Sequence, residues 1–188
     1  LNEAKTRFNN NKLEDLPTEI RALIISANVR HFETPEMIEN LFATYKNTPS
    51  NDLQNDIAIG LTSTKNLKTA EKILANIKDS NIIRPQDASR WFVYLIRTRE
   101  SRQIAWNWLK ENWAWVEEKF GEDKSYDDFI RYAATALLNP NELDDFRQFF
   151  EPMMDIPALT RTIKLGITEI SARVELIKRD KEAVISAL

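Results

Sequence analysis

Apolar positions recur every three or four residues along the chain, and nowhere do they alternate in the two-residue period of a half-buried strand. Met37, Ile38, Leu41, Phe42 and Tyr45 form one such face, and Leu67, Ala70, Leu74 and Ile77 form another. Ala88, Trp91, Phe92 and Leu95 make a third; Phe129, Ala133, Ala136 and Leu137 then precede Leu143, Phe146, Phe150 and Met153. Near the end, Ile163, Ile167, Ile170, Val174 and Ile177 step by 4, 3, 4 and 3, opposite a side carrying Arg161, Lys164, Thr168, Glu175 and Lys178. The densest stripe is Trp106, Leu109, Trp113, Val116 and Phe120, with Trp108 and Trp115 on a second side. A helix that is apolar on two sides packs between neighbours.

Start and stop signals frame these stripes. Pro35, Pro85, Pro140 and Pro157 each stand where a first helical residue is expected; the missing N–H costs nothing there and the fixed φ is already helical. Pro17, between Asp15 and Glu19, repeats the device. Ser125 with Asp128 reads as a variant capping box, and Gly121 after Lys119-Phe120 as a helix stop. The pattern predicts helices over 17–30, 35–47, 51–63, 66–79, 85–97, 99–120, 125–138, 141–153 and 157–180, with a short one over 3–10. Gly60 and Gly166, inside helical runs, are expected to permit close helix–helix approach, since each otherwise costs about 1 kcal/mol against Ala. A helix pair then recurs every ~30–45 residues, the period of HEAT- and armadillo-like arrays. The expected fold is all-α: an irregular α-superhelix of antiparallel helix pairs, a solenoid occupying residues 1–188 as one helical-repeat domain.

Composition narrows the function classes. The 188 residues carry a net charge of -3, which is unlike a dedicated nucleic-acid binder, because phosphate backbones demand a surplus of Lys and Arg. Trp and Arg residues near 91–102 could form a base-stacking platform, but their helical spacing favours core packing. With no cysteine there is neither a disulfide framework nor a thiol nucleophile, in keeping with a cytoplasmic protein. No run approaches the ~18 apolar residues of a membrane span, and the polar start Leu1–Lys12 is no signal peptide. Beginning at Leu1, the chain is expected to be a fragment of a longer polypeptide, and its Asn-, Lys- and Ile-rich composition points to a low-GC bacterial source.

Three stretches together carry a resemblance. Ile83-Arg84-Pro85-Gln86-Asp87, followed by Ala105-Trp106-Asn107-Trp108-Leu109-Lys110-Glu111-Asn112-Trp113, resembles the C-terminal helical domain of zinc aminopeptidases of the aminopeptidase N type, the gluzincins with endoplasmic-reticulum relatives. Leu16-Pro17-Thr18-Glu19-Ile20-Arg21 is similar to that domain's I-P-x-x-L-R helix start, and Thr168-Glu169-Ile170 to its last long helix. The resemblance implies the C-terminal part of a metallopeptidase whose zinc and catalytic residues lie in another domain of the same polypeptide. It further implies a helical cover over the active-site chamber that governs peptide access. The family domain is longer than this chain, so apolar surface is expected at the first helix around Phe8 and Leu13.

The chain's own chemistry fits that division of labour. A gluzincin site needs two histidines one turn apart plus a distant Glu, and His31 is the single histidine here, so no catalytic or metal-binding residue is expected. His31 reads as a helix-end or surface residue. The neighbours Asp127-Asp128, Asp144-Asp145 and Glu117-Glu118 diverge by about 100° on a helix and read as helix-start charge and solvated faces. Arg84, Gln86, Arg90 and Arg97 are the candidate substrate-binding residues, since Arg forks suit a peptide's backbone or C-terminal carboxylate. A plainer alternative is that Asp87 answers the helix dipole and pairs with Arg90 at i+3. The competing function is an independent α-solenoid that scaffolds a protein partner in its groove.

Overall fold

A computed structural model describes residues 1–123 and 125–187. Its secondary structure is α1 (Asn2–Asn10), α2 (Thr18–Phe32), α3 (Pro35–Asn47), α4 (Asn51–Leu61), α5 (Leu67–Ile77), α6 (Pro85–Arg97), α7 (Arg102–Glu111), α8 (Trp113–Phe120), α9 (Asp128–Ala136), α10 (Pro140–Phe150) and α11 (Pro157–Ala187), with short 3-10 turns before α2 and after α10. The described residues contain no strand, and the fold class is all-α, as expected. Pro35, Pro85, Pro140 and Pro157 each open a helix. Side-chain oxygens of Thr34, Ser50 and Asn66 accept from the first-turn amides of Met37, Leu53 and Lys68, satisfying donors that have no intrahelical partner.

Several boundaries move for identifiable reasons. The segment expected as one helix over 99–120 is two, because Asn112 takes φ -113 and ψ 18 between α7 and α8. Asn tolerates that bridge-region geometry and is a poor helix former. One interrupted residue barely disturbs the register, so Trp106, Leu109, Trp113, Val116 and Phe120 are all buried as their spacing demands. Ser125 does not cap: α9 starts at Asp128 without a side-chain cap, and Ser125 instead bonds Asp123 Oδ1 through both its amide and its hydroxyl at 2.7 Å. A true capping box stands at α10, where Asn139 and Glu142 bond each other's amides at 3.0 and 3.1 Å. Gly121 does follow the last residue of α8, in a right-handed conformation.

The residues gather into two compact units, Leu1–Trp108 and Leu109–Leu188. In the first, α2 packs on α1 and α4, α3 on α4, and α6 on α4 and α5. Ile25, Leu53, Ile57, Leu61, Ile73, Ile77, Trp91 and Phe92 are fully buried there. A glycine is required at position 60, since a Cβ would stand 2.2 Å from Ile25 Cγ2 where α4 crosses α2. Charged and polar groups tie the same helices: Arg21, 5% exposed, reaches Asp56 at 2.6 Å. Glu33, just past α2, accepts from the hydroxyls of Thr64 and Thr69, and Arg30 pairs with Glu100 at 2.8 Å.

The second unit is held by rings. Trp113 stacks on Tyr126 and meets Phe150 edge-on, at centroid distances of 5.6 and 5.2 Å. Phe146 lies 4.9 Å from Phe150, and Phe120 5.1 Å from Phe129; such geometries add roughly 0.5–1.5 kcal/mol each beyond burial. α11 packs on α9 and α10 through Leu159, Ile163, Gly166 and Ile170, and a Cβ on Gly166 would come within 2.8 Å of Phe146 Cζ. The expected stripe does not stay buried to its end, however: Ile177 is 41% exposed, with Leu176, Val184 and Ile185 also exposed. α11 nevertheless runs beyond the expected 180 to Ala187, because no Gly or Pro interrupts a tail of helix-forming residues.

Candidate functional site

A polar cleft of about 220 Å³ lies in the first unit where the start of α6 faces α3 and α4. Pro85 opens α6 and places Arg84, Gln86 and Arg90 at its first two turns, and all three line this cleft. Arg97 does not. It is exposed in the last turn of α6, seven residues or roughly 10 Å along the axis from Arg90. The structure therefore brings three of the four sequence candidates together.

The opposite wall comes from residues that apolar periodicity hides or ignores. Asn51, Gln54 and Asn55 lie at i, i+3 and i+4 on α4 and present a polar face to the cleft. Tyr45 sits on the buried face of α3, its ring edge-on to Trp91 at 5.2 Å. The polar stripe on α4 was a readable signal; the hydroxyl of Tyr45 was not, because its ring belongs to the core stripe.

Bonding within the cleft differs from the i+3 pairing expected of Asp87 and Arg90. Asp87 is buried and instead accepts from Arg84 Nε, three residues earlier, at 2.8 Å. Arg84 Nη1 also donates to Asn51 Oδ1 at 3.3 Å, and Arg90 Nη1 to Asn55 Oδ1 at 3.1 Å. Gln54 Nε2 donates to the carbonyls of Tyr45 and Thr48 at 3.1 and 3.3 Å, which fixes the amide with its oxygen on the other side. That Gln54 Oε1 and the Tyr45 hydroxyl are buried without a hydrogen-bond partner. Burial raises the Tyr45 phenol above its ordinary value, opposed by the nearby Trp91 indole, reinforced by Asp87 and opposed again by Arg84 and Arg90. The indole influences that titration without reaching hydrogen-bond geometry. Tyr45 is thus a neutral donor at physiological pH.

Among the described residues there is no group of three His, Cys, Asp or Glu side chains placed to hold a metal ion. His31 is exposed at the end of α2. Five of the six neighbouring acids turn to separate partners: Asp127 accepts from Thr162, Asp128 pairs with Arg131, Lys110 reaches Asp145, Tyr126 donates to Glu117 and Glu118 pairs with Lys119. Among the described residues no helix is long and apolar enough to cross a membrane. Around Phe8 and Leu13, both half-buried, an open cleft of about 460 Å³ lies between the first helix and α3.

Residues 1–172 match the family model described as the ERAP1-like C-terminal domain. The chain is 31% identical over 180 residues to aminopeptidase N of Lactobacillus helveticus, covering 96% of this chain and 21% of that protein. It is 33% identical over 177 residues to aminopeptidase N of Lactococcus lactis subsp. cremoris (strain MG1363), covering 94% and 21%. To glutamyl aminopeptidase of Bos taurus it is 21% identical over 169 residues, covering 90% and 18%. The chain spans about a fifth of the length of these curated relatives.

Proposed function

The chain belongs to the family of ERAP1-like C-terminal domains, and from that premise we propose that it is the non-catalytic C-terminal domain of a cytoplasmic aminopeptidase N-like zinc enzyme. Residues 1–188 act as one helical domain that covers the active-site chamber and governs which peptides enter. Its partner is the catalytic domain of the same polypeptide, which holds the zinc and removes N-terminal amino acids. Arg84, Gln86, Arg90 and Arg97 contact peptide backbone or carboxylate on the way. A zinc ion held by that catalytic domain would supply Lewis-acid chemistry; this domain contributes enclosure and orientation.

The observation that carries this reading is the match of residues 1–172 to a domain family whose relatives are named aminopeptidases. The experiment compares the parent polypeptide with and without this domain. Both forms are expected to hydrolyse a single amino-acid arylamide to within about tenfold, since the chemistry is elsewhere. Discrimination among peptides of increasing length, measured as kcat/KM, is expected to be lost with the domain. A length profile unchanged by its removal, with arylamide turnover intact, contradicts access control.

A further inference from the structure

The cleft over α3, α4 and α6 carries hydrogen-bonding capacity that the chain itself does not use. Tyr45 and Gln54 each bury a polar atom without a partner, at a cost of roughly 1–3 kcal/mol per group. Two guanidiniums, Arg84 and Arg90, share the cleft with one carboxylate, Asp87. Among the described residues Arg90 makes no ion pair; its bond is to the neutral Asn55 amide. The complement is therefore bipolar: cationic forks and a hydroxyl donor for a carboxylate, a carboxylate and an amide oxygen for an amine. At about 220 Å³ the space suits a ligand of one amino-acid unit.

We propose that this cleft binds a free α-amino acid, its carboxylate held by Arg90, Arg84 and the Tyr45 hydroxyl and its ammonium by Gln54 Oε1 and Asp87. Both unpartnered atoms belong to residues that line the cleft. The ligand reaches them by displacing Arg84 from Asn51 and Arg90 from Asn55, exchanging uncharged amide acceptors for a carboxylate. Identity of the ligand as a reaction product rests on the aminopeptidase reading, under which a released amino acid competes with peptide for the same groups. Binding by itself does not depend on that reading.

The test is a titration of the isotopically labelled chain with L-alanine, followed through the backbone amides of Asp87 and Ala88 and the Trp91 indole. Saturable shifts at these sites with a Kd on the order of 1 mM are expected, an affinity within reach of six non-hydrogen atoms. L-Alaninamide, lacking the carboxylate, and N-acetyl-L-alanine, lacking the ammonium, are expected to bind at least ~10-fold more weakly, about 1.4 kcal/mol each. Tyr45→Phe keeps the ring against Trp91 and is expected to fold normally while weakening L-alanine ~10-fold. No localised shift at ~100 mM, equal binding of the N-acetyl compound, or full affinity in Tyr45→Phe would each overturn the proposal. Because none of these readouts uses hydrolysis, they fail or succeed independently of access control.

Discussion

The two compact units solve the same packing problem with different materials. In Leu1–Trp108 the helices are cross-linked by polar groups: Arg21, buried, with Asp56, and the half-buried Glu33 with two threonine hydroxyls and Arg30 with Glu100. In Leu109–Leu188 rings join the helices, Trp113, Tyr126, Phe146 and Phe150 among them. Rings stabilise chiefly by the apolar area they bury, whereas each buried ion must keep its partner. The first unit has a hydrogen-bonding cleft over α3, α4 and α6, and the second packs rings of α8, α9 and α10 against one another.

Substitutions separate the two solutions. The largest effect is expected at Phe146→Ala, about 4 kcal/mol by denaturant unfolding, since a fully buried ring is replaced by a cavity. Arg21→Ala is expected to cost about 3 kcal/mol by leaving Asp56 as an uncompensated carboxylate that is only 14% exposed. The double change Arg21→Met with Asp56→Leu should recover most of that loss, a rescue that has no counterpart for Phe146. Gly60→Ala is expected to cost about 2 kcal/mol by overpacking against Ile25, more than Gly166→Ala, where the obstruction is the far edge of a ring that can shift. Val184→Ser on the exposed end of α11 should stay within about 0.5 kcal/mol.

pH sharpens the contrast in a second way. Burial, with Glu117 beside it, pushes the Tyr126 phenol up to about 12 from an ordinary 10.0. A raised folded-state value means stability is fully present below pH 10 and is lost as pH climbs from 10 toward 12, because only the unfolded chain ionises there. Alkaline melting curves of Tyr126→Phe should show a shallower decline over that window than the unmodified chain.

The sequence made some features legible and concealed others for physical reasons. Proline at N1 and three-four apolar spacing are local rules, and Pro35, Pro85, Pro140 and Pro157 all open helices where expected. Gly60 and Gly166 mark close crossings as their placement inside helices implied. The break at Asn112 and the exposure of Ile177 depend on what packs around them, which periodicity does not encode. At the cleft, proximity in sequence gathered Arg84, Gln86 and Arg90, but the α4 wall lies over 30 residues away and only folding reveals it. Asp87 was placed in the right turn and given the wrong partner, since i−3 and i+3 are equivalent by spacing and rotamers choose between them.

The central claim is a division of labour in which hydrolysis belongs to residues outside this chain. Its most direct measurement is turnover of an amino-acid arylamide by the pure chain with added zinc. The account predicts no release above the zinc-only blank. Turnover that scales with chain concentration and disappears with a chelator would contradict it.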